Sequence, residues 1–210
     1  MITVACVLKS GGVYDASWVQ KLKDGVARNM KRPHRFLCLS DVDVPCERVE
    51  LVDNFPGWWS KIELFRQGAI PDGTLYLDLD TVVTGSLDDV ARLNDEFLML
   101  QNFNDPEMVG SGVMWFGTVP HKVYDKFRRQ PEAYINHYER NREGSYLGDQ
   151  AFIWDTLGRD ISLITDRIDG IRSYKKHCKN TLLPDTRVVC FHGEPRPTEV
   201  KTEWMQRHWG

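Results

Sequence analysis

Asp78 and Asp80 close the apolar run "GTLYLDLDTVV" at residues 73–83. Leu75, Leu77 and Leu79 alternate with Tyr76, Asp78 and Asp80, so an extended backbone sends both carboxylates to one side. Two anions held that close repel unless a cation or a proton separates them. A hard divalent ion, magnesium or manganese, takes carboxylate oxygens, and manganese accepts an imidazole as well. The usual companion of such an ion is a phosphate or diphosphate whose charge it offsets. A plainer reading makes one aspartate a cap for the turn at "TGSLDD", where Ser86 is placed to start a helix.

Elements that must position this pair alternate between strand and helix. Residues 2–8, 34–40, 47–52 and 74–80 read as strands. A helix follows Asp15, with Trp18, Leu22, Val26 and Met30 four apart, and an amphipathic helix spans 58–69. The later chain reads as strands at 95–100, 111–117, 161–165 and 186–193. Helices fall at 119–141, broken at Pro131, and at 145–158. The run at 74–80 is apolar on both faces up to its aspartates, as a central strand of a mostly parallel sheet is. In such α/β sheets ligands bind at the carboxyl ends of strands. Asp78 and Asp80, residues 9–12 after the first strand and residues 192–196 after the last all fall there.

The chain has 210 residues, 41% hydrophobic and 27% charged, which suits one domain with a substantial core. Its 27 basic and 30 acidic residues leave a net charge of −3, which argues against nucleic acid as a partner. No segment is apolar enough to span a membrane, and the opening "MITVACVLKSGG" lacks a secretory pattern. Cys6, Cys38, Cys46, Cys178 and Cys190 form no CxxC pair and read as reduced thiols of a cytoplasmic protein.

"LYLDLDTVVTGSLDDV" resembles the DxD segment of GT-A fold glycosyltransferases of the glycogenin and bacterial galactosyltransferase type. Further segments resemble that family in order. "WWSKIELFR" is similar to its upstream helix, "GSGVMWF" to its NSGV strand, "GDQAFI" to its DQ motif and "VVCFHGEPRP" to its closing HFxGxxKP. The resemblance runs from the first strand to about Pro197. It implies one α/β domain over 1–210, Rossmann-like, with a nucleotide-binding half at 1–100 and a sugar and acceptor half at 101–210.

By that resemblance Asp78, Asp80 and His192 hold Mn2+, with Mg2+ as the alternative. The family's histidine falls at Cys190, but a shift of two residues keeps His192 on the same face of a strand. Leu8, Lys9, Tyr14, Lys61, Asp78, Leu79, Gly193 and Arg196 then take the nucleotide and its diphosphate. Tyr14 occupies a uracil-stacking position, and Arg196 replaces a lysine with a planar fork for phosphate oxygens. Ser111, Gly112 and Asp149 line the donor sugar, with Gly110 in place of an asparagine. Asp149 and Gln150 face the reacting carbon, where an oxygen stabilises oxocarbenium character.

The expected activity is transfer of a hexose, with retention, from a UDP-sugar to a glycan or protein-linked glycan. UDP-glucose ranks ahead of UDP-galactose. The resemblance also allows the chain to be one part of a longer multidomain protein. Two other classes compete. Phosphatases of the haloacid-dehalogenase type also carry DxD after an apolar strand, although here some 75 residues precede it. A nucleotide-sugar-binding module without turnover would keep the same pocket.

Overall fold

The computed structural model describes residues 1–140 and 147–209. Strands β1 (Ile2–Leu8), β2 (His34–Ser40), β3 (Glu47–Glu50) and β4 (Thr74–Leu77) pair in parallel in the order β3-β2-β1-β4. With β6 (Phe97–Gln101) and β7 (Val109–Phe116) they complete a six-stranded sheet in the order β3-β2-β1-β4-β7-β6. Strand β7 runs antiparallel to both β4 and β6. It therefore begins where β4 ends, and Val113 sits opposite Leu77. This one reversal brings Gly110, Ser111 and Gly112 to the carboxyl edge of the parallel strands.

Alternation along each strand feeds two cores. Val4, Cys6, Leu8, Leu75 and Leu77 pack with Trp18, Leu22 and Val26 of helix α1 (Ala16–Asn29). Ala5, Leu37, Leu39 and Tyr76 face the other way, onto Ile62, Phe65, Phe127 and Phe152. Helix α1 is capped by Asp15, whose carboxylate accepts from the Ser17 amide at 2.8 Å. Helices α2 (Lys122–Phe127), α3 (Pro131–Arg140) and α4 (Gly148–Leu157) cover the second face. The predicted break at Pro131 is present because its fixed φ and missing amide suit the first position of a helix. Of the expected helices, residue 141 and residues 145–146 lie outside the described residues.

Several expectations are corrected. The strand expected at 74–80 stops at Leu77, and the Thr81 amide donates to the Asp78 carbonyl at 3.0 Å. Asp78 and Asp80 thus stand in a turn rather than on one pleated face. The chain then joins a second sheet, β5 (Thr81–Val83), β9 (Val188–Cys190) and β8 (Ile171–Ser173), in the order β5-β9-β8. Residues 161–165 supply a single bridge, Met99 to Leu163, and then a 3₁₀ turn at Ile164–Asp166. The amphipathic helix expected at 58–69 is a 3₁₀ segment, Gly57–Phe65, buried from Trp59 onward.

Strand β8 and the closing helix α5 (Glu203–Trp209) were not anticipated from the sequence. All five cysteines are free thiols, and only Cys46 is partly exposed. No helix of the described residues is long and apolar enough to cross a membrane.

Candidate active site

Two adjoining cavities, of about 470 and 580 Å³, open at the carboxyl edge of the large sheet. Both are bordered by Trp58, Lys61, Asp78, Asp80 and Gly193. The larger also takes in Lys9, Tyr14, Leu79 and Arg196; the smaller takes in Ser111, Gly112, Asp149, Gln150 and His192. Lys9, Tyr14, Leu79 and Arg196, expected for the nucleotide, thus border one side of a junction, and Ser111, Gly112 and Asp149, expected for the sugar, border the other, with volumes in the range of small-molecule sites.

A buried polar cluster holds the junction. The Lys61 ammonium lies 3.0 Å from Asp78 Oδ1 and 3.2 Å from Asp149 Oδ2, and donates to Ser111 Oγ at 3.0 Å. Ser111 Oγ in turn donates to Asp149 Oδ2 at 2.7 Å. Burial alone would lower the proton affinity of Lys61. The carboxylates of Asp149 and Asp78 outweigh it and keep the ammonium charged well above the usual lysine range. Tyr76, a residue that reads only as core in the sequence, donates its hydroxyl to Asp78 Oδ1 at 2.5 Å.

Gly112 sits so close that a Cβ there would come 3.2 Å from Asp78 Oδ2. Its carbonyl accepts from the Asp78 amide at 2.9 Å, which ties the start of β7 to the turn.

Asp80 is buried, and its carboxyl is pushed above the ordinary range by burial and then by the charge of Asp78. Tyr14 partly relieves this by donating its hydroxyl to Asp80 Oδ2 at 3.0 Å. The tyrosine also packs edge-on against Trp18, with ring centroids 4.8 Å apart. Tyr14 is therefore a support for Asp80 as well as a wall of the nucleotide-side cavity. Beside it the Thr81 hydroxyl is buried without a hydrogen-bond partner.

The remaining residues divide. Lys9 borders the cavity but spends its charge on Asp41, 2.5 Å away, which also accepts from the Ser10 amide at 2.8 Å and the Ser10 hydroxyl at 2.7 Å. Leu8 is 1% exposed in the α1-side core, and the neighbouring Val7 and Lys9 border the cavity. Leu79 packs in the same core while bordering the cavity. Gly193 has φ +82, a left-handed conformation that suits glycine. Arg196 leaves its Nε buried and unpaired in the nucleotide-side wall. Gln150 lies on the sugar side next to Gly110.

His192 borders the same cavity as Asp78 and Asp80. Cys190 is the residue in register with Thr81, directly after Asp80. His192 lies beyond the end of β9, where its Nε2 is 2.7 Å from Ser173 Oγ and its ring stacks on Phe103. Among the described residues no three His, Cys, Asp or Glu side chains converge as a metal-holding group. Burial, followed by the charges of Asp80 and Asp78, pushes the Cys190 thiol far up, so it stays neutral and is a poor ligand for a hard ion.

The donor set that fits a divalent ion is thus the carboxylate pair Asp78 and Asp80. Burial and then the charge of Asp78 raise the proton affinity of Asp80, and among the described residues only Lys61 places a cation within ion-pair distance of Asp78. A hard ion bound by two carboxylates keeps positions for phosphate oxygens and water.

No family model and no curated protein matches the chain. Solved structures do. The glycosyltransferase GlyE of Streptococcus pneumoniae TIGR4 superposes with a TM-score of 0.66 at 15% identity, over 94% of this chain and 56% of GlyE. The galactosyltransferase LgtC, in complex with donor and acceptor sugar analogs, gives 0.63 at 14% identity, over 93% of this chain and 89% of LgtC. The bifunctional WbbM gives 0.60 at 11% identity, over 93% of this chain and 46% of WbbM. The chain thus spans a little over half the length of GlyE. The mixed α/β fold, with its mostly parallel central sheet between helices, is the GT-A-like fold of these glycosyltransferases.

Proposed function

We propose that this chain is a glycosyltransferase that moves a hexose, with retention, from a UDP-sugar to a glycan or protein-linked glycan. UDP-glucose ranks ahead of UDP-galactose as the donor. The observation that carries this reading is the cluster Lys61, Asp78, Ser111 and Asp149 at the junction of two cavities. Residues from the two halves of the sequence, 1–100 and 101–210, meet there as one domain.

In this reading the nucleotide enters the side bordered by Tyr14 and Arg196, and the sugar enters the side bordered by Ser111 and Asp149. Asp78 and Asp80 would hold Mn2+, or Mg2+ in its place. When bound, that ion offsets charge on the diphosphate. Arg196 supplies a fork for phosphate oxygens, and Gly193 lets backbone approach them. Ser111 and Lys61 orient Asp149 through the contacts they already make. Asp149 and Gln150 then present oxygens to the positive charge that builds at the sugar's C1 as the bond to phosphate lengthens. The free thiols suit a cytoplasmic setting.

The test is turnover of UDP-glucose and UDP-galactose, read as UDP released, with p-nitrophenyl phosphate alongside. UDP release from a UDP-sugar supports the transferase. Phosphate release from the ester, with the UDP-sugars untouched, would favour a phosphatase instead.

A further inference from the structure

Among the seven tryptophans, six are 9% exposed or less, whereas Trp58 is 51% exposed. An indole offers one of the largest apolar surfaces of any side chain, and leaving it in water forfeits its burial. Trp58 makes no side-chain hydrogen bond or ring contact among the described residues. It borders both cavities, three residues from the buried Lys61. Its Nε1 lies 3.3 Å from where a Cβ on Gly148 would stand, and Gly148 has φ +67. Backbone conformation and close approach both favour a glycine there, so the indole lies against the first residue of α4, which precedes Asp149 in the chain.

The same sugar-side cavity carries a second ring, Phe103 stacked on His192 with centroids 5.8 Å apart, and the amides of Asn102 and Asn104. Aromatic faces combined with a few amides match the two chemical aspects of an uncharged pyranose, whose C–H faces are apolar and whose rim is hydroxyl.

We infer that Trp58 is the platform for the acceptor: a pyranose ring of the acceptor glycan stacks on its exposed face, which sets its hydroxyl toward the carbon beside Asp149. This rests on the donor reading above, because it assigns the ring at the cavity mouth to the incoming sugar.

Acrylamide quenching of the intact protein reads this directly, because the exposed indole dominates the quenchable fluorescence; W58F defines the part belonging to Trp58. With UDP and Mn2+ present, methyl glucoside or methyl galactoside should protect that part saturably. In kinetics, W58A should lower the ratio of transfer onto the methyl glycoside over donor hydrolysis by about tenfold, and W58F should restore part of it. Two results overturn the assignment. One is quenching unaffected by saturating glycoside; the other is full protection by UDP alone, which would make Trp58 a wall for the base. A thermal shift with UDP on the same samples keeps the two readings apart. A missing shift in the wild type counts against the donor reading, whereas an intact shift without glycoside protection counts against Trp58.

Discussion

Lys61 and Asp149 form a buried ion pair, 3.2 Å between Nζ and Oδ2, that joins the 3₁₀ segment before β4 to the first turn of α4. It places a fixed positive charge between the two cavities. It also makes Asp149 a buried carboxylate with one oxygen, Oδ2, held by both Lys61 and Ser111.

Removing the lysine should therefore cost more than an ordinary surface charge. Lys61→Met strands Asp149 in the interior and is expected to lower unfolding free energy by about 3 kcal/mol or more. Urea denaturation of the single variants and of Lys61→Met with Asp149→Asn gives the coupling. The double variant should regain part of the loss, because neither charge is then left alone. Losses that simply add would mean the pair is not coupled.

Gly112→Ala tests how closely the turn is fitted. The new methyl would stand 3.2 Å from Asp78 Oδ2, and that partly buried carboxylate must yield by a few tenths of an ångström against the hold of Lys61 and Tyr76 on its other oxygen. Stability should fall by only about 1 kcal/mol. Metal-dependent UDP affinity, measured by calorimetry, should fall about tenfold as Asp78 moves. Unchanged affinity would show that Asp78 does not need its present position.

What the sequence made legible follows from which features carry a local pattern. Leu75, Leu77 and Tyr76 alternate between the two cores as their spacing required. Asp78 and Asp80 stood out because charge ended an apolar run. The segment Gly57–Phe65 misled because an amphipathic helix would turn polar residues such as Lys61 and Glu63 toward solvent. Both are buried, and Glu63 accepts from the amides of Val52 at 2.6 Å and Asn54 at 2.7 Å. Polar residues read as surface unless their partners are known, and those partners are distant in sequence. The hydroxyl of Tyr14 on Asp80 was hidden for the same reason. So was Asp41, one acid among many until Lys9 and Ser10 converge on it. The setting of His192 beyond the strand was hidden because a count along a strand assumes that the strand continues, and β9 ends at Cys190.

Asp41 also gives a pH dependence. Burial pushes its carboxyl up, but hydrogen bonds from Lys9 and Ser10 outweigh this and hold it well below the usual aspartate range. The folded value lies below the unfolded one, so the stabilisation is complete above the unfolded value of about 4 and is lost as pH falls through the folded one. Asp41→Asn should therefore be less stable than the wild type at neutral pH, and the gap measured by urea denaturation should narrow steadily below about pH 4. A gap that stays constant into acid would remove the ion pair as its cause.

The central claim is that Asp78 and Asp80 anchor a metal and the diphosphate of a uridine nucleotide. Thermal unfolding with UDP, with and without Mn2+, in the wild type and in Asp80→Ala tests it most directly, because a ligand that binds the native state raises its melting temperature. The expected rise with UDP requires Mn2+ or Mg2+, exceeds any rise with GDP or CMP, and loses its metal dependence in Asp80→Ala. Equal stabilisation by all three nucleotides, or full metal dependence in Asp80→Ala, would contradict it.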